Sequence, residues 1–297
     1  MCRPRASTRP ECDEYLGGVG DRRVEAVSGT PAPPLRSIIG GYRGYRTDGP
    51  PGIHRGLPSR HLTFIISLDE RVDIARMPDD IQPPGRFQAF VGGLHAAPAT
   101  IRHDGFQHGI SVELTPLGAR ALLGLPAGEL AYAVVDLEDV LGPSATGLVD
   151  RLVSSPDWRE RFSVLDQVLV QRLKEGCGPP REVAWAWRRL LSTGGAVEVG
   201  ALASDVGYSR RHLSELFRRE LGLAPKAAAR VLRFERSRRL MERTDRPGLA
   251  AVAAASGYYD QAHPSREWRA IAGCTPTTWM AEELPSVQDV PADLGAC

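Results

Sequence analysis

Residues 201–217 read ALASDVGYSRRHLSELF, and this stretch decides the fold of the C-terminal part of the chain. Leu202 and Val206 mark a short helix, which Gly207 ends because glycine permits the sharp turn that follows. Ser209 is a good N-cap for the next helix, RRHLSELFRRE, since its hydroxyl can accept a hydrogen bond from a free backbone N–H of the first turn. The pattern predicts a helix-turn-helix unit, whose second helix enters the DNA major groove.

The same pattern returns after a long helical segment. Residues 225–243, PKAAARVLRFERSRRLMER, predict a helix about 28 Å long. Beyond it, residues 249–273 read LAAVAAASGYYDQAHPSREWRAIAG, with Gly257 in the place of Gly207 and Asp260 as the candidate cap. Two units joined by such a helix would present their second helices about one DNA turn apart, ~34 Å.

These motifs, in this order and spacing, resemble the AraC/XylS family of bacterial transcription regulators. The resemblance covers roughly residues 181–283 and is carried by GYSRRHLSELFRRELGLAPK, LRFERSRRLM and LAAVAAASGYYDQAHPSREWRAIAGCTPTTW. It implies an all-helical, bipartite DNA-binding domain beneath a variable, often cupin-like, effector or dimerisation domain. It also implies base contacts from the outward residues of both second helices. In this sequence those residues are Arg211, Ser214, Glu215, Gln261, Ala262, Ser265 and Arg266.

The chemistry of these side chains supports part of that assignment. Arg211 and Arg266 can pair bidentately with guanine, and Gln261 can pair with adenine. Glu215 is interpreted as ordering a nearby arginine, with acceptance from cytosine N4 as the alternative. A further group suits DNA phosphates, which position a protein without specifying sequence. That group is Ser209, Arg210 and Arg218.

The second unit departs from the family pattern at His263-Pro264, where a large apolar residue, typically Phe, is expected. Proline is tolerated in the first turn of a helix, but further along it removes a backbone donor. We therefore expect the second unit to be shifted, loosened or devoted to backbone contacts. Base-specific reading is expected mainly from the first unit.

Residues 35–175 carry the signals of a β-rich domain. HLTFIISLD at 61–69 and RFQAFVGGL at 86–94 are rich in β-branched and aromatic residues and are bounded by turn residues. Several short strands of this kind predict a small barrel or sandwich. The family resemblance implies that such a domain is often cupin-like, and helices are expected to flank it. Residues 148–173 repeat apolar positions at three- and four-residue steps, which predicts two amphipathic helices broken near Ser155. The helices are interpreted either as a dimerisation or interdomain element, or as a cover for the barrel.

The predicted fold class is α+β, with the β-rich domain followed by the all-α helix-turn-helix domain. Residues 1–34 are rich in Arg, Gly, Pro and Ser and have too few large apolar residues to offset their ordering entropy, so they are predicted to be disordered. The regulatory domain is placed at 35–175, a GCGPP linker at 176–180, the DNA-binding domain at 181–284 and a flexible tail at 285–297.

Charge and cysteine content agree with a cytoplasmic DNA-binding protein. The net charge is only +1, but residues 181–284 hold 17 of the 37 Lys and Arg and only 12 of the 36 Asp and Glu. This excess favours a polyanionic partner for the C-terminal domain. The 5 cysteines are far apart and form no CxxC pair. Such spacing fits a reducing cytosol rather than a zinc site or a disulfide framework.

Other classes of function have little support in the sequence. We find no P-loop, GxSxG, HExxH or Gly-rich dinucleotide turn, so no enzyme activity, catalytic residue or cofactor is predicted. No apolar run approaches the ~18 residues of a membrane span, so no membrane partner is expected. The histidines of the N-terminal half lack the His-x-His spacing of a metal-binding barrel, and no metal site is predicted. These histidines are His54, His61, His95, His103 and His108.

We therefore predict a cytoplasmic regulator that reads two adjacent major grooves of double-stranded DNA. Its N-terminal domain is expected to modulate activity by sensing a small molecule or by mediating homodimerisation. Arginines near Gly-Pro turns, Arg43, Arg46, Arg55 and Arg60, are interpreted as solvated side chains, with an anionic effector as the alternative. The competing function is a small-molecule-binding or interaction protein with a degenerate helix-turn-helix domain, which salt-dependent binding to duplex DNA would distinguish.

Overall fold

The structure is a computed structural model that describes residues 12–19, 22–145, 147–174, 176–243, 245, 247–258 and 262–283. Within these ranges the chain forms an N-terminal domain of two antiparallel sheets, followed by a helical C-terminal domain. The predicted α+β fold class is confirmed.

The N-terminal domain contains the strands of both sheets. They are β1 Cys12–Val19, β2 Arg22–Gly29, β3 Ile39–Asp48, β4 Gly52–Gly56, β5 Leu62–Ser67, β6 Val72–Arg76, β7 Gly85–Phe87, β8 Ala89–Gly92, β9 Ala99–His103, β10 Gln107–Leu114 and β11 Val134–Asp136. The larger sheet has the order β1-β2-β3-β10-β5-β8-β11, and the smaller has the order β4-β9-β6-β7. Strands β5, β7 and β8 lie in the two runs predicted from β-branched and aromatic residues.

The two sheets pack against each other through alternating side chains. Leu62, Phe64 and Ile66 of β5 face the main core beneath the helices, whereas Ile65 packs on the other face toward the smaller sheet, as the period of two in a strand requires. Ile74 of the smaller sheet and Phe90 of the larger belong to a second cluster between the sheets. The β-rich half is therefore a two-layer domain.

The structure corrects the predicted disorder of residues 1–34 at positions 12–19 and 22–34, where β1 and β2 form an antiparallel pair. Strand β2 pairs with β3 from Arg23 opposite Asp48 to Gly29 opposite Tyr42, and Val27 is only 2% exposed. The segment has too little apolar surface to form a core by itself, but it can add a strand to an existing sheet edge. Residues 1–11 and the predicted tail at 285–297 lie outside the described residues.

Four α-helices cover the sheets, at α1 Ala119–Leu123, α2 Leu137–Leu141, α3 Leu148–Ser154 and α4 Trp158–Arg172. Helices α3 and α4 are the predicted amphipathic pair. A Cβ placed on Gly29 of β2 would lie 2.4 Å from Phe162, and one on Gly44 of β3 would lie 2.4 Å from Trp158. The apolar face of α4 therefore covers the larger sheet, as the second of the two interpretations proposed.

The C-terminal domain contains the helices α5 Arg181–Ser192, α6 Val199–Asp205, α7 Arg210–Leu221, α8 Pro225–Glu242, α9 Leu249–Ala255, α10 Ala262–Ala272 and α11 Pro276–Glu282. Its apolar side chains fall into two groups. Those of α5, α6, α7 and the first half of α8 join the core of the N-terminal domain. Those of α9, α10, α11 and the second half of α8 form a separate core around Trp268 and Trp279.

Gly93, which follows β8, tests the packing within the N-terminal domain. A Cβ on Gly93 would lie 1.6 Å from the carbonyl oxygen of Leu130. Gly93→Ala must therefore displace backbone, and we expect it to lower the free energy of unfolding by about 1–3 kcal/mol or more. The measurement is guanidinium chloride unfolding followed by circular dichroism.

The matched control is Gly41→Ala in β3, where an added Cβ meets nothing within 4 Å. This variant should change the free energy of unfolding by less than about 0.5 kcal/mol. Equal stability of the two variants would contradict the close approach of Gly93 and Leu130.

Candidate nucleic-acid interface

Helices α6 and α7 meet at the turn that the sequence predicts. Gly207 has φ of 72°, and the Tyr208 N–H donates to the carbonyl of Ala203 at 2.8 Å. The Ser209 hydroxyl accepts a hydrogen bond from the backbone N–H of His212 at 3.1 Å. Ser209 is thus the N-cap of α7, and the predicted cap is confirmed.

Helix α7 has one buried face and one exposed face. Leu213, Leu216 and Phe217 are buried, so they fix the helix against the core as predicted. The opposite face carries the side chains assigned to DNA in the first unit. Of these, Ser209, Arg210, Arg211, Glu215 and Arg218 are exposed and Ser214 is half-buried.

Arg211 and Glu215 form an ion pair on this exposed face. The Arg211 Nε donates to Glu215 Oε1 at 2.9 Å, one helical turn apart. This hydrogen bond raises the pKa of Arg211 and lowers the pKa of Glu215. Glu215 therefore contacts the nearby arginine that the first of its two interpretations requires. Because the Arg211 side chain is 90% exposed, its other guanidinium N–H groups point toward solvent.

Ser214 and Arg210 of the first unit each contact the backbone of a nearby residue. The Ser214 hydroxyl donates to the carbonyl of Arg210 at 2.8 Å, so its oxygen can act toward DNA only as an acceptor. The Arg210 guanidinium lies over Gly200 of α6, where an added Cβ would come within 2.6 Å of Nη2. Arg210 therefore spans both helices of the unit.

His212, which the sequence pattern did not assign to DNA, is exposed in the first turn of α7. Its ring lies edge-on to the Tyr208 ring, with centroids 4.7 Å apart. The signal was available in the sequence, because His212 lies between Arg211 and the inward Leu213 in the turn that Ser209 caps. We therefore add His212 to the candidate interface.

The turn of the second unit has the same backbone geometry. Gly257 has φ of 78°, and the Tyr258 N–H donates to the carbonyl of Ala253 at 3.1 Å. Trp268 and Ile271 of α10 are buried, as predicted. The two units therefore share the same backbone hydrogen bond at the turn as well as the same sequence pattern.

Pro264 lies in the first turn of α10, which begins at Ala262. The first four N–H groups of a helix have no partner within the helix, so proline removes no helical hydrogen bond there. Helix α10 accordingly continues through Pro264 to Ala272, and the expected loosening does not extend along the helix. Ser265 is half-buried and Arg266 is exposed, whereas the predicted contact Gln261 and the candidate cap Asp260 lie outside the described residues.

The histidines of the N-terminal domain occupy separate environments. His95 contacts the Ala97 carbonyl through Nδ1, and burial lowers its pKa to about 4. His61 faces Glu113 at 3.3 Å, and burial lowers its pKa. Over the described ranges, no group of three or more His, Cys, Asp or Glu side chains is placed to hold a metal ion. Nor does any helix there have the length and apolar character needed to cross a membrane.

Part of the chain matches a known family of domains. Residues 202–282 match the model of a family described as a helix-turn-helix domain. No curated protein matches the chain in sequence. These matched residues contain both units and the helix between them.

Some solved structures are similar to this chain at low sequence identity. An apo variant of ToxT from Vibrio cholerae strain SCE256 is 9% identical, with a TM-score of 0.50 over 89% of this chain and 98% of that chain. Wild-type ToxT from the same strain, bound to an unsaturated fatty acid, is 10% identical, with a TM-score of 0.48 over 81% and 94%. The AraC-like transcriptional activator CuxR is 16% identical, with a TM-score of 0.33 over 74% and 85%.

The Ser209 cap makes a stability prediction that does not involve DNA. Ser209→Ala leaves one N–H of the first turn of α7 without its acceptor, so the free energy of unfolding should fall by about 1 kcal/mol. Ser209→Asp keeps an acceptor at the cap and should retain most of the stability. Thermal unfolding of the purified variants measures both changes, and equal losses in Ala and Asp variants would argue against a capping role.

Proposed function

We propose, from the premise that the C-terminal domain of this chain is a helix-turn-helix domain of the AraC type, that the protein is a sequence-specific transcription regulator. It acts in the cytoplasm on double-stranded DNA. The observation that carries the proposal is the repeated turn, in which Tyr208 N–H and Tyr258 N–H make the same hydrogen bond in two units. Each turn precedes a helix with a buried apolar face, α7 and α10, which we call the recognition helices.

The spacing of the units suits two successive major grooves. Helix α8 has 18 residues between the units, which corresponds to about 27 Å along its axis. The major groove returns to the same face of DNA after ~34 Å. One chain can therefore place both recognition helices on one side of the duplex.

Side chains of the first recognition helix divide into two roles. Arg211 reads guanine, and Glu215 holds the arginine in an extended position until DNA offers better acceptors. Ser214 and Glu215 complete the base-facing set. Ser209, Arg210 and Arg218 contact phosphates, which fixes the register of the helix on the groove.

The second recognition helix contributes through its first turns. Arg266 is exposed and can pair with guanine, while Ser265 suits either base or backbone. Gln261 and Ala262 complete the proposed contacts of this unit. Pro264 removes a backbone N–H donor and stands where a large apolar residue is expected, so this unit contributes less sequence information than the first.

The N-terminal domain modulates DNA binding through a small molecule or through a second copy of the chain. A cleft of about 540 Å³ opens between the β5–β6 turn, α2 and α3, with Leu68, Leu137 and Val149 among its apolar lining residues. Its polar lining includes Asp69 and Asp150. Thermal-shift screening and light scattering of the full chain test the effector and the homodimer separately.

DNA binding is tested with genomic fragments, including the region upstream of the coding sequence. Purified protein should shift a subset of fragments, with affinity that falls steeply as salt rises because phosphate contacts release counterions. Failure to shift any fragment at low salt would reject the proposal and favour the alternative of a degenerate, non-DNA-binding domain.

Arg211 gives the sharpest mutational prediction. Arg211→Ala should weaken binding to the selected site by about 1–3 kcal/mol and relax the base preference at one position. Arg159→Ala, which removes an exposed arginine from α4 of the N-terminal domain, is the matched control and should change affinity little. Fluorescence anisotropy on the selected site and on random DNA measures both, and an equal loss on the two DNAs would make Arg211 a phosphate contact.

A further inference from the structure

The two helix-turn-helix units are anchored to the N-terminal domain in different ways. The first unit shares its apolar core with that domain, including Leu213 and Phe217 of α7. The second unit has its own core, around Phe234, Trp268 and Trp279. The orientation of the second unit relative to the first therefore depends on α8 and on contacts outside the main core.

Three buried glutamates of the C-terminal domain supply such contacts. Glu220 lies in the last turn of the first recognition helix, Glu235 lies in the middle of α8, and Glu283 follows α11. Their exposed fractions are 2%, 3% and 4%. Each accepts an ion pair from an arginine of the N-terminal domain.

The first of these contacts holds α7. Arg120 Nε and Nη2 donate to Glu220 at 2.9 and 3.1 Å, and Arg219 donates to the same carboxylate at 3.0 Å. Beside this pair, Gly128 lies against the end of α7, and a Cβ there would come within 2.4 Å of the Arg218 and Arg219 carbonyl oxygens. The C-terminal end of the first recognition helix is thus fixed by both charge and close packing.

The second contact holds the connecting helix. Arg60 Nε pairs with Glu235 at 3.0 Å, and Arg239 of α8 donates to the same carboxylate at 3.0 Å. Arg60 lies in the connection between β4 and β5. The same part of the N-terminal domain therefore reaches α8 and, through β4, the second unit.

The third contact holds the second unit. Glu283 accepts from the backbone N–H and the guanidinium of Arg55 at 3.1 and 3.0 Å, and His54 Nδ1 lies 3.0 Å from its other oxygen. Leu57 packs against the core of this unit. A Cβ on Gly273, directly after α10, would lie 3.4 Å from Pro98. Strand β4 and its neighbours thus contact the second unit from behind the recognition helix.

Burial and hydrogen bonding have opposite effects on the pKa of Glu220 and of Glu283. Burial acts to raise the pKa of Glu220, but hydrogen bonds from Arg120 and Arg219 outweigh it and lower the pKa. Burial likewise acts to raise the pKa of Glu283, and hydrogen bonds from His54 and Arg55 lower it. Both pairs therefore stabilise the folded state above the pKa of an unfolded glutamate, and this contribution is lost as pH falls through the lowered pKa. A buried carboxylate deprived of its arginine is strongly destabilised, so each helix is held where its partner places it.

We propose that the N-terminal domain sets the spacing between the two recognition helices through Arg120, Arg60 and Arg55, and so makes the protein selective for the distance between its two half-sites. Arg55 is the positioning residue for the second unit, because it acts through Glu283 and touches no proposed DNA contact. The inference rests on the proposed DNA-binding function. It adds that the preferred distance between half-sites is determined by the N-terminal domain, which does not contact DNA.

The test uses the full chain and a duplex that it selects from a random library. Insertion of one or two base pairs between the half-sites should weaken wild-type binding about tenfold or more, since a displaced half-site loses its contacts. Arg55→Ala should bind the original site more weakly and should lose less than about threefold on the inserted sites. Arg86→Ala removes an exposed arginine of β7 from the same domain and should keep the wild-type response to insertion.

A second variant separates positioning from folding. Arg55→Met combined with Glu283→Gln removes both charges, which avoids an unpaired buried carboxylate. Thermal unfolding checks that it folds, and it should still tolerate the insertions. A wild-type protein that tolerates the insertions, or an Arg55 variant that loses affinity equally at every spacing, would overturn the inference while leaving DNA binding intact. Selection of no DNA by the wild-type protein would reject the proposed function, and the inference with it.

Discussion

The carboxylate of Glu220 is 2% exposed at the end of the first recognition helix, and it depends on a guanidinium from another domain. An ionised carboxylate without a partner is costly to bury, so Arg120 must be in place for α7 to keep its position. The dependence is mutual, because Gly128 packs on the last carbonyls of α7 and the apolar core continues across the junction. The helix that we propose to face DNA is therefore, on its other side, part of the packing of the N-terminal domain.

The two units have the same turn, but different apolar cores pack against them. Gly207 and Gly257 adopt the same left-handed conformation, and the hydrogen bonds that follow them match. The first unit is completed by the N-terminal core, whereas the second is completed by α11 and its own aromatic cluster. Duplicated local sequence thus gives duplicated geometry, while the surroundings determine how firmly each copy is held relative to the rest of the chain.

How far the sequence predicts this molecule depends on the range of the interactions. The turn at Gly207, the Ser209 cap and the Arg211–Glu215 pair involve neighbours within one helical turn, so local pattern was sufficient. The local sequence predicts solvated loop side chains for Arg55 and Arg60. Their carboxylate partners are 228 and 175 residues away along the chain, so local pattern does not reveal them. Strand β2 was missed for the same kind of reason, since its short apolar pattern is stable only once β3 supplies a sheet edge.

These contacts also limit how any signal could reach the DNA. A ligand or second copy changes an equilibrium only by the difference in its affinity for two arrangements. Sheet and helix interiors are close-packed and deform little, whereas ion pairs across a domain junction can exchange partners with water and other charges. The side chains of Arg55, Arg60 and Arg120 have relative exposures of 22%, 26% and 35%, whereas the glutamates they meet have 4%, 4% and 2%. Solvent therefore reaches the arginines of the junction but not the glutamates. A ligand or a second copy that alters these contacts would accordingly act on the arginine of each pair.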